Sequence, residues 1–201
     1  MSNKGKNVEE GILVVLSAPS GCGKTSIVER LLKRHQDWTR SVSATTRQPR
    51  VDEKDGQDYF FLSKKEFEGR IKEGKMLEHA EIYGNLYGTP RAFVKEQIDQ
   101  GRTVIMTIDV QGTKQVETSW GKTHTLLTIF ILPPSIKALR ERLSGRNTET
   151  PEEIEKRIEI AQNEIKAAKL YDHTVINQNL DQAVLEVEAI ISNALKQNSP
   201  R

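Results

Sequence analysis

A single cysteine, Cys22, in 201 residues excludes an internal disulfide and fits a reducing compartment. No apolar run approaches the ~20 residues that a membrane-crossing helix needs. The opening MSNKGKNVEE is polar and lacks the apolar stretch of a secretory signal, so the expected location is cytoplasmic. Net charge is also nearly absent: 30 Lys and Arg stand against 28 Asp and Glu, a formal +2. Composition therefore makes no case for nucleic acid or a membrane surface as a partner. Internal repeats and low-complexity segments are missing too. What is present is a modest apolar share of 36% and a high charged share of 29%, which suits one soluble domain with a polar surface.

Along the chain, short apolar runs alternate with helical patterns. Residues 12–17 (ILVVLS), 103–108 (TVIMTI) and 126–132 (LLTIFIL) are rich in β-branched and large aliphatic side chains. Runs of this kind predict parallel strands buried on both faces, and HTVI at 173–176 is a candidate for another. The last helix is expected from about Leu180 to Lys196, with Leu185, Ala189, Ile190 and Leu195 on its apolar face. Thr89-Pro90 offers a helix cap followed by proline at the first helical position. Thr150 with Glu153, and Ser63 with Glu66, have the spacing of capping boxes. Between about Ser41 and Thr89 the alternation breaks into short aromatic-rich segments around one helix, and Gly84-Asn85 marks a hairpin turn. The fold class is therefore α/β, a parallel-sheet core carrying a small, mostly antiparallel insertion.

The first apolar run leads into APSGCGKTS, a small-residue knot before a helical pattern. A glycine-rich turn at this place lets backbone N–H groups face an anion, and the helix N-terminus adds partial positive charge. Lys24 then reaches the β- and γ-phosphates, and the Thr25 hydroxyl holds Mg²⁺. This is the P-loop pattern G-x-x-x-x-G-K-[ST] in its strand-to-helix setting, with Ala18 at the first glycine position. Ala18, Pro19, Ser20, Gly21, Cys22, Gly23, Lys24, Thr25 and Ser26 are the expected triphosphate-binding residues. Cys22 reads either as a thiol activated by a helix N-terminus or as a small residue that fits the turn.

A P-loop specifies a nucleoside triphosphate and leaves the acceptor open. In SVSATTRQPRVDEKDGQDYFFL, Arg47 and Arg50 flank Pro49 and are followed by Tyr59. Two guanidinium forks and a phenol suit a phosphate monoester, although a solvated basic turn has the same composition. MLEHAEIYGNLYGTP supplies Glu78, Tyr87 and Thr89. TIDVQG supplies Asp109 after a buried strand, the end of an open α/β sheet where ligands bind.

Together these segments resemble guanylate kinase, from about Leu13 to Ala194. The motifs are SxPSGxGK, SVSxTTRxPRxxExxGxDYxF, YGNxYGT, IDVQG and RLxxRxTE. The resemblance implies the reaction ATP + GMP ⇌ ADP + GDP and a nucleoside monophosphate kinase fold. It implies a core from 1–40, 90–133 and 158–201 (with tails at 1–10 and 196–201), a GMP-binding part at 41–89 and a helical lid at 134–157. It places the GMP phosphate on Arg47, Arg50, Tyr59 and Tyr87. Ser43 would meet guanine O6, and Glu78 and Asp109 would accept from N1–H and the 2-amino group, with Thr89 nearby. Arg142, Arg146 and Arg157 match the catalytic arginines that act with Lys24, and Asn177 matches a segment near the adenine.

The resemblance further implies Mg²⁺ with ATP, ATP and GMP as substrates, and a monomer or weak homo-oligomer. Thr107 stands where the family usually has an acid, Asn147 replaces a lid glycine, and Gln178 replaces an aspartate. The competing reading is a guanylate-kinase-like module that binds phosphopeptides without catalysis. Such modules tend to lose the P-loop lysine and lid arginines, which this chain retains. A kinase for another base is disfavoured by Glu78 and Asp109.

Overall fold

The computed structural model describes residues 11–82, 84–145 and 150–198. In chain order its first elements are β1 (Leu13–Ser17), α1 (Lys24–Arg34), β2 (Trp38–Arg40), β3 (Ala44–Thr45), β4 (Phe60–Phe61), α2 (Lys64–Lys72), β5 (Met76–Ile82) and β6 (Asn85–Pro90). They are followed by α3 (Arg91–Asp99), β7 (Thr103–Thr107), α4 (Val110–Ser119), β8 (Leu126–Leu132), α5 (Ile136–Ser144), α6 (Pro151–Ile165), β9 (His173–Ile176) and α7 (Leu180–Asn198), with a 3₁₀ turn at Lys166–Leu170. The expected tail at 1–10, together with Arg146 and Asn147, lies outside the described residues.

The apolar runs form one parallel sheet in the order β2-β7-β1-β8-β9. The central strand β1 is buried along its whole length because both faces are covered. Val14 and Leu16 pack with Ile27 and Leu31 of α1 and Val187 and Ile191 of α7. Leu13 and Val15 face the other way, toward Val94 and Ile98 of α3 and Val116 of α4. Two-sided burial is why these runs lack polar alternation, and each fully buried aliphatic side chain contributes about 1.5–3 kcal/mol.

Residues 44–90 build a second, four-stranded sheet in the order β4-β3-β6-β5. Its β3–β6 and β5–β6 pairs are antiparallel and its β3–β4 pair is parallel. The hairpin is present, but Asn85 already pairs with Ile82, and Gly84 supplies the positive φ of the turn at +76°. A small core of Ala44, Phe67 and Met76 fixes α2 on this sheet. Strand β5 lies at an edge, and α4 closes its open ladder. The Gln115 side chain accepts from His79 N–H and donates to His79 C=O, both at 3.0 Å, and Ser119 Oγ donates to Leu77 C=O at 3.0 Å. These bonds hold β5 against α4, and with it Glu78 against Asp109.

Both capping boxes are formed. The cap expected at Thr89 is not: β6 runs on through Pro90, and α3 starts at Arg91 without a side-chain cap. Thr89 is buried, and its hydroxyl donates to Glu78 Oε1 at 2.8 Å instead. A buried carboxylate needs that donor more than an exposed helix end does. The face of α7 matches expectation in part: Ile190 and Leu195 pack against the core, but Leu185 and Ala189 do not. Ala183, Val184, Val187 and Ile191 are buried, whereas Leu185 is 52% exposed and Ala189 is exposed. The helix continues to Asn198, so 196–198 is helical rather than tail.

Candidate active site

The turn between β1 and α1 is the loop the sequence predicts. Gly21 and Gly23 have φ of +87° and +84°, where a Cβ is strained. Gly23 occupies the N-cap position of α1 and makes no side-chain cap bond, which leaves first-turn N–H groups of the helix for an anion. Residues 18–26 line a cavity of about 350 Å³ together with Asp109 and Glu164. Lys24 is half-buried, with Nζ 3.5 Å from Ala18 O. Burial pulls its pKa below the usual lysine value, while the Glu164 and Asp109 carboxylates favour its charged form. Arg157 on α6 donates to Ser20 Oγ at 3.0 Å, and Arg142 on α5 donates to the Asn177 carbonyl at 2.7 Å. Arg146 falls outside the described residues.

Cys22 resolves toward packing. It has no exposed surface, and burial pushes its thiol up to about 11 despite Arg142 and Lys24 nearby. A protonated, enclosed thiol is not the activated group that a helix N-terminus can create.

A second cavity of about 300 Å³ shares Lys24 and Asp109 with the first and extends to Ser43, Tyr59, Glu78 and Tyr87. Thr107 also lines it. Glu78 projects from β5 and is 8% exposed. Asp109 is the N-cap of α4, its Oδ1 accepting from Gly112 N–H at 2.7 Å. A Cβ on Gly112 would lie 3.3 Å from Glu78 Oε2 and 3.4 Å from Asp109 Oδ1, so glycine lets the two carboxylates approach one corner. Tyr59 and Tyr87 meet edge to face at 6.1 Å, and the Arg47 guanidinium lies over the Tyr59 ring at 5.6 Å.

A family model described as guanylate kinase matches residues 10–194. A guanylate kinase from Clostridium perfringens is 47% identical over 191 residues, covering 95% of this chain and 87% of that protein. One from Synechocystis is 48% identical over 182 residues, covering 90% and 94%. The crystal structure of guanylate kinase from Anaplasma phagocytophilum superposes with a TM-score of 0.70 at 31% identity, over 92% of this chain and 86% of that one.

The chain belongs to the guanylate kinase family. In this family member the two cavities meet at Lys24 and Asp109, and most of the anticipated side chains lie around them. Arg47, Arg50 and Thr89 do not line the second cavity, and the Arg50 side chain is exposed. Arg47 is turned toward Glu53, whose two carboxylate oxygens accept from Nη2 at 2.7 and 2.9 Å. The same carboxylate accepts from Arg50 N–H at 2.8 Å. That bonding holds Glu53 below the usual carboxylate range and Arg47 above its ordinary value.

Two carboxylates near the site had no assigned role in the sequence. Glu53 could have been found as an acid three residues after Arg50 and six after Arg47, within reach of both across a proline turn. Glu164 is half-buried on α6 and beside Lys24, and burial raises its pKa. Nothing local marks it, because Lys24 lies 140 residues and Asp109 55 residues earlier in the chain.

Glu78 yields a pH-dependent prediction. Burial pushes its carboxyl above the ordinary range, with the Thr89 hydroxyl opposing and the Asp109 charge reinforcing. The folded chain thus holds this proton more tightly than the unfolded chain. Stability falls as pH rises from the unfolded value through the folded one, as the buried carboxyl is forced to ionise. Glu78→Gln keeps an acceptor for Thr89 and removes that penalty. The ligand-free Tm should rise near pH 7, by about 2–4 °C per kcal/mol relieved. The gain should vanish below pH ~4, where both carboxyl states are protonated. A Tm difference that stays constant from pH 4 to 7 contradicts this account.

Proposed function

We propose that this family member transfers the γ-phosphoryl of ATP to GMP in the cytoplasm, giving ADP and GDP, as a monomer or weak homo-oligomer. The observation that carries the reading is the junction of the two cavities at Lys24, which puts one fixed cation between a triphosphate loop and an acceptor pocket. Phosphoryl transfer is loose, with charge spread over the moving group, so positioning and electrostatic stabilisation supply the catalysis. Residues 18–26 cradle the donor phosphates. Lys24, Arg142, Arg146 and Arg157 neutralise the charge that develops on the transferring group. The oxygens around the loop, from the Thr25 hydroxyl and the Asp109 and Glu164 carboxylates, suit a hard cation that takes its other ligands from phosphate and water. Mg²⁺ held there would offset the negative charge of the donor phosphates.

On the acceptor side, Arg47, Arg50, Tyr59 and Tyr87 hold the GMP phosphate. Ser43, Glu78 and Asp109 read guanine, with the Thr89 hydroxyl fixing the Glu78 carboxylate. Residues 41–89 act as the GMP-binding part and 134–157 as the lid. Their closure on the core excludes water once both substrates are bound, which protects ATP from hydrolysis. The test is a coupled ADP-release assay with AMP, GMP, CMP and UMP as acceptors. Rapid turnover with GMP alone supports the reading. No ADP release with any of the four rejects catalysis and leaves a binding module.

Arg47→Ala should lower kcat/KM for GMP by about 10- to 100-fold through the loss of a charge-assisted hydrogen bond to the acceptor phosphate. ATP binding should change little, because the donor loop is in the other cavity. Arg50→Ala should act in the same direction, with the loop drawn inward by GMP. Equal losses of ATP and GMP affinity, measured by calorimetry, would put these arginines at the wrong site.

A further inference from the structure

Asn177 follows the last residue of β9 and is only 4% exposed, an unusual position for a side-chain amide beside a nucleotide site. Its polar groups are engaged by three separate segments. The backbone N–H donates to Leu132 C=O at the end of β8, at 2.9 Å. The side-chain Nδ2 donates to Cys22 C=O inside the P-loop, at 2.8 Å and 155 residues away in sequence. The backbone carbonyl accepts from Arg142 Nη2 at 2.7 Å. Gly23 is packed so tightly against this amide that an added Cβ would stand 2.5 Å from Nδ2.

We propose that Asn177 is a positioning residue that sets the Cys22–Gly23 peptide of the P-loop for the donor phosphates, rather than a contact to the adenine. The reason lies in peptide geometry. In a planar trans peptide the C=O and the following N–H point in opposite directions. Tying Cys22 C=O to Asn177 therefore aims Gly23 N–H away from Asn177, toward the side of the loop where the phosphate cavity lies. Cys22 and Gly23 line that cavity and Asn177 does not. A glycine with φ of +84° has little steric resistance to rotation of this peptide, so an outside anchor is needed to hold it. The Arg142 bond ties the same residue to α5, so the loop and this arginine share one fixed reference at the end of the sheet.

The inference rests on residues 18–26 being the triphosphate loop, and its test needs only that loop. Inorganic tripolyphosphate with Mg²⁺ carries the phosphates without a base. Its affinity and that of ATP would be measured by calorimetry on native protein, Asn177→Ala and Asn177→Asp, with GMP affinity and a thermal melt on the same samples. Asn177→Ala should weaken tripolyphosphate and ATP by the same factor, about tenfold or more, and leave GMP unchanged. Asn177→Asp should be worse than alanine although it is isosteric, because it sets an acceptor against the Cys22 carbonyl. If ATP weakens while tripolyphosphate does not, Asn177 contacts the base and the proposal is overturned. Asparagine-like behaviour of the aspartate variant would reduce the residue to a space-filler and overturn it equally. If alanine will not fold, the aspartate variant carries the same comparison of ATP with tripolyphosphate. Failure of the native protein to release ADP from ATP and GMP would reject the kinase reading and leave this comparison valid.

Discussion

Replacing Lys24 with methionine should lower kcat by about two orders of magnitude or more and leave a folded protein. Lys24 is the first residue of α1, behind two glycines of positive φ, and lines both cavities. Its ammonium group is the one fixed cation common to the donor loop and the acceptor pocket among the described lining residues. Negative charge on a transferring phosphoryl group is greatest in effect when it sits in a partly dry, preorganised site. Removing a charge aimed there costs far more than removing one at the surface.

Methionine keeps the apolar stem and the length of the chain, so packing changes little. Stability should not suffer either. The lowered pKa of Lys24 means that the fold disfavours its charged form, and that cost is present at neutral pH and relieved only as pH rises. Tm of the variant should therefore equal or exceed that of the native protein. Steady-state kcat and a thermal melt on one preparation decide the matter. Near-native turnover in a folded variant would remove Lys24 from the mechanism.

The native protein should prefer GMP to AMP by about 10⁴ or more in kcat/KM, and Glu78→Gln should shrink that ratio. Guanine presents N1–H and a 2-amino group, both donors, and an ionised carboxylate only accepts. Glu78 and Asp109 converge on Gly112 from different elements, with Glu78 Oε1 occupied by Thr89. The Gln115 and Ser119 bonds from α4 to β5 keep the two acids at a fixed separation. Adenine would set its N1 lone pair against a negative oxygen and leave a buried carboxylate without a partner. A site built on such pairing rejects the wrong ligand far more strongly than an apolar pocket does. IMP retains N1–H and lacks the 2-amino group, so it should fall between GMP and AMP.

Glutamine keeps the shape and the Thr89 bond but removes the charge and offers a donor, which costs GMP and relieves AMP. The measurement is kcat/KM for GMP, IMP and AMP on both proteins. Equal use of AMP and GMP by the native protein, or an unchanged ratio in Glu78→Gln, would show that the guanine pocket is misassigned. The same variant is expected to be more stable at neutral pH, so lost GMP activity with a raised Tm separates a binding defect from a folding one.

What the sequence determined by itself is what short-range physics decides. Residues 12–25 specify a strand, a glycine turn and a helix start. Their apolar run, the positive-φ positions and the lysine all lie within one local unit. The β-branched runs predict buried parallel strands, and Ser63 and Thr150 close their capping boxes with partners three residues away.

What only the tertiary structure decided involves competition between distant groups. Thr89 has the local signature of a cap and is diverted to Glu78, because a buried carboxylate has the stronger claim on a hydroxyl. The apolar residues of α7 wrap far enough around the helix that periodicity alone leaves its rotation open. Docking on α1 and the sheet selects Val184, Val187 and Ile191 over Leu185. Glu164 beside Lys24 and Asn177 beneath Cys22 are polar residues with no local signal. Their effect depends on burial and on partners more than 130 residues away in sequence, and both exist only once the helices have closed around the sheet.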